Sequence, residues 1–219
     1  PLTIFIEINN FLLRLKKRKN KYKIKSICIG NIYLGGTGKT PTTIKIYKIL
    51  KSLGFSTCVG KKYYENQIDE IKILKNRVDL ISGKLRDEIL YEAKKRNKKV
   101  IVFDDGLQDR NISFDIKIVC FDSDNTIGNG LLIPAGPLRE RINSLSNYDC
   151  VILKGENKDT KKFIKKIKRI NKNLRIFTTY FKVKNLYKLN RLNKYIIFSG
   201  IGNPKNFKKT LLKNKIKVI

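Results

Sequence analysis

Across 219 residues, 49 lysines and arginines stand against 18 acids, a formal charge of +31, while 41% hydrophobic content supports a sizeable core and excludes an intrinsically disordered chain. No histidine is present, which removes His-based triads, His-ligated zinc and a histidine base, so chemistry must rest on carboxylates, lysine, arginine and backbone amides. The charge points to a polyanion nearby, whether phosphate, nucleic acid or anionic lipid, but Lys, Asn and Ile are abundant throughout, and a chain-wide bias of that kind does not build a localised patch.

Residues 2 to 15 place Thr3, Glu7, Asn10 and Arg14 on one side of a helix and Ile4, Phe5, Ile8, Phe11, Leu12 and Leu15 on the other. This amphipathic helix runs into Lys16, Lys17, Arg18, Lys19, Lys21, Lys23 and Lys25. An apolar face followed by a basic run fits an interfacial membrane anchor, and equally a helix packed on its own domain. Further on, the spacing predicts strands at Ile24 to Ile29, Ser56 to Val59, Val100 to Phe103, Ile116 to Phe121, Cys150 to Leu153, Leu174 to Thr179 and Tyr195 to Phe198. Helices are predicted at 41 to 53, 86 to 97, 159 to 170 and 204 to 213. Alternation of this kind specifies an α/β domain with a mostly parallel sheet flanked by helices. Cys28, Cys58, Cys120 and Cys150 have no paired spacing and lie mostly in apolar runs, as reduced core residues of a cytosolic protein do. No apolar run approaches the roughly 18 to 20 residues of a membrane span. The closing Lys215-Ile216-Lys217-Val218-Ile219 resembles an unfinished strand, so the chain is expected to be part of a longer protein.

The strongest local signal is Gly35-Gly36-Thr37-Gly38-Lys39-Thr40, between the strand ending at Ile29 and a helix whose first turn holds Pro41. A glycine-rich turn lets amides converge on phosphate oxygens, Lys39 adds charge at the β- and γ-phosphates, and the Thr40 hydroxyl can ligate Mg²⁺. The strict P-loop pattern wants glycine where this chain has Tyr33. Tyr33, Leu34, Gly35, Gly36, Thr37, Gly38, Lys39 and Thr40 are therefore the candidate ATP-binding segment, with a structural glycine turn as the alternative. Val100 to Phe103 then ends in Asp104-Asp105, where a Walker B carboxylate would hold Mg²⁺ beside a P-loop. Asn157-Lys158-Asp159-Thr160 has threonine where a guanine-reading N-K-x-D motif needs aspartate, which argues against GTP.

Several segments together resemble tetraacyldisaccharide 4'-kinase, the lipid A 4'-kinase of Gram-negative bacteria. They are Ile29-Gly30-Asn31 leading into the P-loop, Asp104-Asp105-Gly106-Leu107-Gln108, Leu132-Ile133-Pro134-Ala135-Gly136-Pro137-Leu138-Arg139-Glu140, and Gly200-Ile201-Gly202-Asn203-Pro204, in family order across nearly the whole chain. The family itself does not keep glycine at the position of Tyr33. The resemblance implies a P-loop core joined to a smaller C-terminal lobe. It implies an ATP·Mg²⁺-dependent enzyme that phosphorylates the 4'-hydroxyl of a lipid A disaccharide 1-phosphate at the cytoplasmic face of the bacterial inner membrane.

The same resemblance implies roles for individual residues. Lys39 and Thr40 hold phosphates and metal, Asp104 and Asp105 organise the metal region, Asp87 is the base toward the sugar hydroxyl and Glu88 stands near the metal. Gln108, Arg139 and Glu140 line the active site, Arg139 being suited to phosphate by its planar fork. Taken without the family, Asp87 and Glu88 are more simply acids favoured at a helix N-terminus. The chain also departs from the family: Gly60-Lys61-Lys62-Tyr63-Tyr64 stands where the family has S-R-G-Y-G and keeps only the tyrosine and a basic residue, Arg86 replaces the glycine before the acidic pair, Ile89 replaces the proline after it, and Asp109 replaces a histidine. The family's C-terminal aspartate–histidine motif has no counterpart. The expected organisation is a membrane-associating helix and basic segment over 1–23, a kinase core over 24–185 and an incomplete C-terminal lobe over 186–219. The expected partners are the lipid A precursor and an anionic membrane surface, with no specific nucleic acid, for a monomer. A nucleic-acid-dependent P-loop ATPase and a nucleotide-holding protein without catalysis are the alternatives.

Overall fold

The computed structural model describes residues 22–109, 111–155, 157–180, 183, 185–200 and 204–219. The helix expected over 2 to 15, the basic residues up to Lys21, and Ile201, Gly202 and Asn203 of the Gly200–Pro204 motif lie outside the described residues. Two compact units divide between Thr179 and Tyr180, against an expected boundary after residue 185.

The first unit alternates strands and helices: β1 (Lys25–Gly30), α1 (Lys39–Ser52), β2 (Thr57–Lys62), α2 (Ile68–Lys75), β3 (Leu80–Gly83), α3 (Arg86–Lys95), β4 (Val100–Asp104), β5 (Ile116–Asp122), β6 (Cys150–Lys154), α4 (Thr160–Ile170) and β7 (Arg175–Thr179). The strands form one seven-stranded sheet in the order β3-β2-β4-β1-β5-β6-β7, with every neighbouring pair parallel. Strands covered on both faces need continuous apolar sequence, and Val100-Ile101-Val102-Phe103-Asp104 is buried at every position. Alternate residues serve opposite faces. Cys28, Ile101 and Phe103 pack with Ile89, Leu90 and Ala93 of α3 and with Phe163 and Ile167 of α4. Ile29, Val59 and Val102 pack with Ile44 and Tyr47 of α1 and with Leu74 of α2.

The four cysteines are free and buried in β1, β2, β5 and β6. Burial pushes the Cys58 and Cys120 thiols up to about 12 and Cys150 up to about 11. The second unit contains α5 (Pro204–Lys213) and a short parallel pair, β8 (Lys194–Tyr195) with β9 (Lys217–Val218), around buried Leu211 and Ile216. The strand expected at Tyr195 to Phe198 is thus shorter and begins one residue earlier. Beyond Tyr195 the chain leaves Ile196 and Phe198 exposed, without the burial that would sustain an extended strand.

This topology decides where chemistry can sit. β1 lies between β4 and β5, with Ile29 opposite Asp104, and β2 lies on the far side of β4 with Gly60 opposite Phe103. The carboxyl ends of β1, β4 and β2 therefore deliver the glycine-rich turn, Asp104-Asp105 and Lys61-Lys62 to one rim of the sheet, where an open α/β sheet binds ligands.

Candidate active site

The turn between β1 and α1 has Gly35 at φ 128° and Gly38 at φ 86°, conformations that residues with a Cβ adopt only at a cost of about 1–2 kcal/mol. The turn is held from several sides. Asn31 Nδ2 donates to the Gly35 carbonyl at 3.2 Å, Lys154 Nζ to the Gly36 carbonyl at 3.2 Å, and the Leu34 amide to the Pro137 carbonyl at 2.8 Å. Helix α1 then begins at Lys39 with no acid in its first turn. The partial positive charge of its N-terminus is therefore reinforced by an ammonium, an arrangement that suits an anion.

Asp104 closes β4 with a side chain 0% exposed. Its Oδ2 accepts from Thr40 Oγ1 at 3.1 Å and Lys61 Nζ at 3.0 Å, and its Oδ1 from Thr43 Oγ1 at 3.1 Å. Lys61 is itself buried and also pairs with Glu70 of α2. Burial alone would pull its pKa down, but the Asp104 and Glu70 carboxylates outweigh that and hold it above the usual lysine value.

The next residue, Asp105, has φ 63°, and its amide donates to the Ile29 carbonyl at 2.8 Å. Asp105 Oδ2 lies 3.4 Å from Lys39 Nζ and 3.6 Å from Arg139 Nη1. Its Oδ1 is buried with no hydrogen-bond partner among the described residues, and so is the Thr37 hydroxyl. Two carboxylates and the Thr40 hydroxyl supply hard oxygen donors, one of them unsatisfied, and this set fits Mg²⁺.

The segment rich in proline and glycine folds back onto the turn. Tyr33 bridges Leu138 in antiparallel fashion, and the Arg139 amide donates to the Ile32 carbonyl at 2.8 Å. Gln108 Nε2 reaches the Asn31 carbonyl at 2.9 Å and Glu140 Oε1 at 3.0 Å, and Tyr148 donates its hydroxyl to Glu140 at 3.0 Å. Burial and the Glu140 carboxylate push the Tyr148 phenol well above its ordinary value. A cavity of about 460 Å³ opens beside these groups, with Lys61, Arg86, Asp104, Asp105, Gln108 and Arg139 in its wall.

Lys39, Thr40, Asp104, Asp105 and Arg139 are thus brought together, with Gln108 tying the turn to Glu140. Leu34, expected in the ATP-binding segment, has its amide bonded to the Pro137 carbonyl and its side chain exposed. Glu88, expected near the metal, also caps its own helix. Its Oε2 accepts from the Leu85 amide at 3.1 Å, and among the described residues no three His, Cys, Asp or Glu side chains gather as a metal-holding cluster. Asp87 lies exposed in the first turn of α3 and accepts from the Tyr22 hydroxyl at 3.4 Å. Glu140, expected at the active-site lining, is buried and serves Gln108 and Tyr148. Sequence reasoning missed Lys61, Thr43 and the pairing of Arg86 with Asp109. Thr43 had a signal: it lies one helical turn from Lys39 and Thr40, on the same face of α1.

The family model for tetraacyldisaccharide-1-P 4'-kinase matches residues 2–78 and 69–219. A tetraacyldisaccharide 4'-kinase of Pelagibacter ubique (strain HTCC1062) is 44% identical over 207 residues, covering 94% of this chain and 66% of that protein. Namesakes from Shewanella pealeana and Rickettsia canadensis are each 31% identical, covering 71% and 96% of this chain and 54% and 68% of their own lengths. The chain thus spans between about half and two thirds of the length of these curated relatives. In fold it is similar to the crystal structure of LpxK from Aquifex aeolicus in complex with ATP, with a TM-score of 0.69 at 20% identity, over 99% of this chain and 76% of that one.

Proposed function

Because the chain belongs to the tetraacyldisaccharide 4'-kinase family, we propose that it transfers the γ-phosphate of ATP to the 4'-hydroxyl of a tetraacylated disaccharide 1-phosphate in lipid A synthesis. The observation that carries this reading is the buried Asp104 carboxylate bonded to Thr40 of the glycine-rich turn, with Asp105 bridging toward Lys39 and Arg139. In phosphoryl transfer most of the work is positioning and charge stabilisation, and this rim offers both.

The α1 N-terminus and Lys39 would take the β- and γ-phosphates, and Arg139, which also lies beside Asp105 Oδ2, would brace the transferred group. Thr40, Asp104 and Asp105 would hold Mg²⁺, which when bound with ATP neutralises charge on the β- and γ-phosphates. Asp87 would accept the proton of the sugar hydroxyl. Its exposure leaves it accessible to a bulky acceptor, and a carboxylate suffices because the proton leaves late in a loose transition state. A lipid acceptor places the reaction at a membrane surface, and we assign it to the cytoplasmic face of the inner membrane, where ATP is found. The net charge of +31 supports adhesion to anionic headgroups, at about 1 kcal/mol per basic residue near the surface. Among the described residues no helix is long and apolar enough to cross a membrane.

The test is transfer of labelled γ-phosphate from ATP·Mg²⁺ to detergent-solubilised tetraacyldisaccharide 1-phosphate. Product is expected with this chain, and loss of about a hundredfold or more in Lys39→Ala and Asp87→Ala. A chain that binds ATP·Mg²⁺ yet yields no labelled lipid would overturn the proposal.

A further inference from the structure

Arg86 is the first residue of α3, and its side chain is 7% exposed. Its guanidinium reaches the loop that follows β4 at two points. Nη1 pairs with Asp109 Oδ2 and Nη2 donates to the Asp105 backbone carbonyl, each at 2.5 Å. The loop closes around it: the Asp109 amide donates to the Gly106 carbonyl at 2.9 Å, and Asp109 Oδ1 accepts from the Asn111 amide at 3.0 Å. Contact is so close that a Cβ added at Gly106 would stand 2.8 Å from Arg86 Nε. Lysine could not reproduce this, because only a planar fork reaches two acceptors at once.

The residue gripped by this fork is Asp105, which has the left-handed φ of 63° that side chains with a Cβ disfavour. In that conformation its Oδ2 faces both Lys39 and Arg139. Arg86 also precedes Asp87 directly, so one side chain ties the first turn of α3 to the carboxyl end of β4. Replacing a buried ion pair by apolar residues of similar volume is often neutral or stabilising, and this pair is buried on the Arg86 side, so bulk stability is a weak reason for an arginine there.

We infer that Arg86 is a positioning residue. It fixes Asp105 in its left-handed conformation between Lys39 and Arg139, and it sets the distance between that carboxylate and Asp87. The fork acts through these neighbours, since Nη1 and Nη2 are committed to the loop and Nε is buried. The inference rests on the nucleotide-site reading of Lys39 and Asp105 given above.

The experiment compares the chain with Arg86→Met, Arg86→Lys and Asp109→Asn. Two readouts are used: kcat and KM for phosphate transfer, and the ratio of ATP affinities with Mg²⁺ and with EDTA, measured by calorimetry. Arg86→Met and Arg86→Lys are expected to lower kcat at least about tenfold and to cut the Mg²⁺-dependent gain in ATP affinity several-fold, the share of one charge-assisted hydrogen bond, with KM for the lipid little changed. Asp109→Asn, which leaves the bond to the Asp105 carbonyl, should lose less on both readouts. Wild-type values for folded Arg86→Met on both readouts would overturn the inference, because a side chain of similar bulk would then do the same work. If the parent chain transfers no phosphate, the kinase reading fails while the Mg²⁺-dependent affinity still decides the role of Arg86. If the parent binds no ATP, both fall.

Discussion

Replacing Lys61 by methionine keeps most of the side-chain volume and removes the ammonium between Asp104 and Glu70. The partners respond unequally: Glu70 is 50% exposed and returns to water, whereas Asp104 is 0% exposed and cannot. Stranding one member of a buried pair costs about 3–5 kcal/mol, and since Thr40 and Thr43 still donate to Asp104 the lower end applies, about 3 kcal/mol. At about 2–4 °C per kcal/mol for a domain of this size, the melting temperature should fall by about 6–12 °C. Urea unfolding at neutral pH should show a lower midpoint with unchanged slope. Adding Asp104→Asn removes the stranded charge, so the double variant should recover about 1–3 kcal/mol relative to the sum of the single losses. The pH dependence has a definite sign. Lys61 has a folded pKa above its unfolded value, so its stabilisation is complete below the unfolded lysine value of about 10.4 and is lost as pH rises through the folded one. The alkaline decline should therefore be shallower in Lys61→Met than in the parent, the buried thiols and Tyr148 contributing equally to both. A cost under about 1 kcal/mol, or simple additivity with Asp104→Asn, would refute the reasoning.

Gly38→Ala must hold a Cβ at φ 86°, 3.4 Å from Lys154 Cδ; we expect about 1–2 kcal/mol of lost stability by urea unfolding and ATP affinity about tenfold weaker by calorimetry. The four thiols should be unreactive toward a disulfide reagent at pH 8 in the native chain and react fully in urea, because all four are buried with pKa values raised mainly by desolvation. Asp115 accepts from the Ser26 amide and hydroxyl, each at 2.8 Å, and from Lys25; burial raises its pKa, but these bonds outweigh it and leave the value lowered. Its contribution is therefore present above the unfolded carboxylate value and disappears as pH falls through the folded one, so acid titration of stability followed by circular dichroism should be shallower in Asp115→Asn than in the parent.

What could be read from the chain alone was what is contiguous along it. The glycine-rich turn and the strand ending in Asp104-Asp105 each carry their meaning within a few residues, and the apolar runs of β1, β4, β5 and β6 declare a sheet covered on both faces. The pair α2 and β3 was not legible. Its helix has eight residues and its strand four, too short for a hydrophobic period to declare itself. The capping role of Glu88 was hidden because Leu85 stands where a Ser or Thr would announce a capping box. Lys61 stood in the sequence only as part of a segment that keeps a basic residue and a tyrosine of the family pattern; its role was hidden because its partners lie 9 and 43 positions away and only the pairing of β2 with β4 brings it to Asp104.

The departures from the family pattern change meaning once distance along the chain is replaced by distance in space. Arg86 and Asp109, where relatives are expected to carry glycine and histidine, sit 23 residues apart and form one part-buried ion pair, so the two departures meet in space. The larger side chain at 86 fits because residue 106 has no Cβ, and its charge is neutralised by the new acid at 109. Lys61 likewise balances Asp104, in a segment that otherwise departs from the family. A buried charge without a partner is costly, and each of these has one. The grip of Arg86 on the Asp105 carbonyl, with Lys39 and Arg139 beside the Asp105 carboxylate, explains how Asp105 can hold a left-handed backbone without a glycine to ease it.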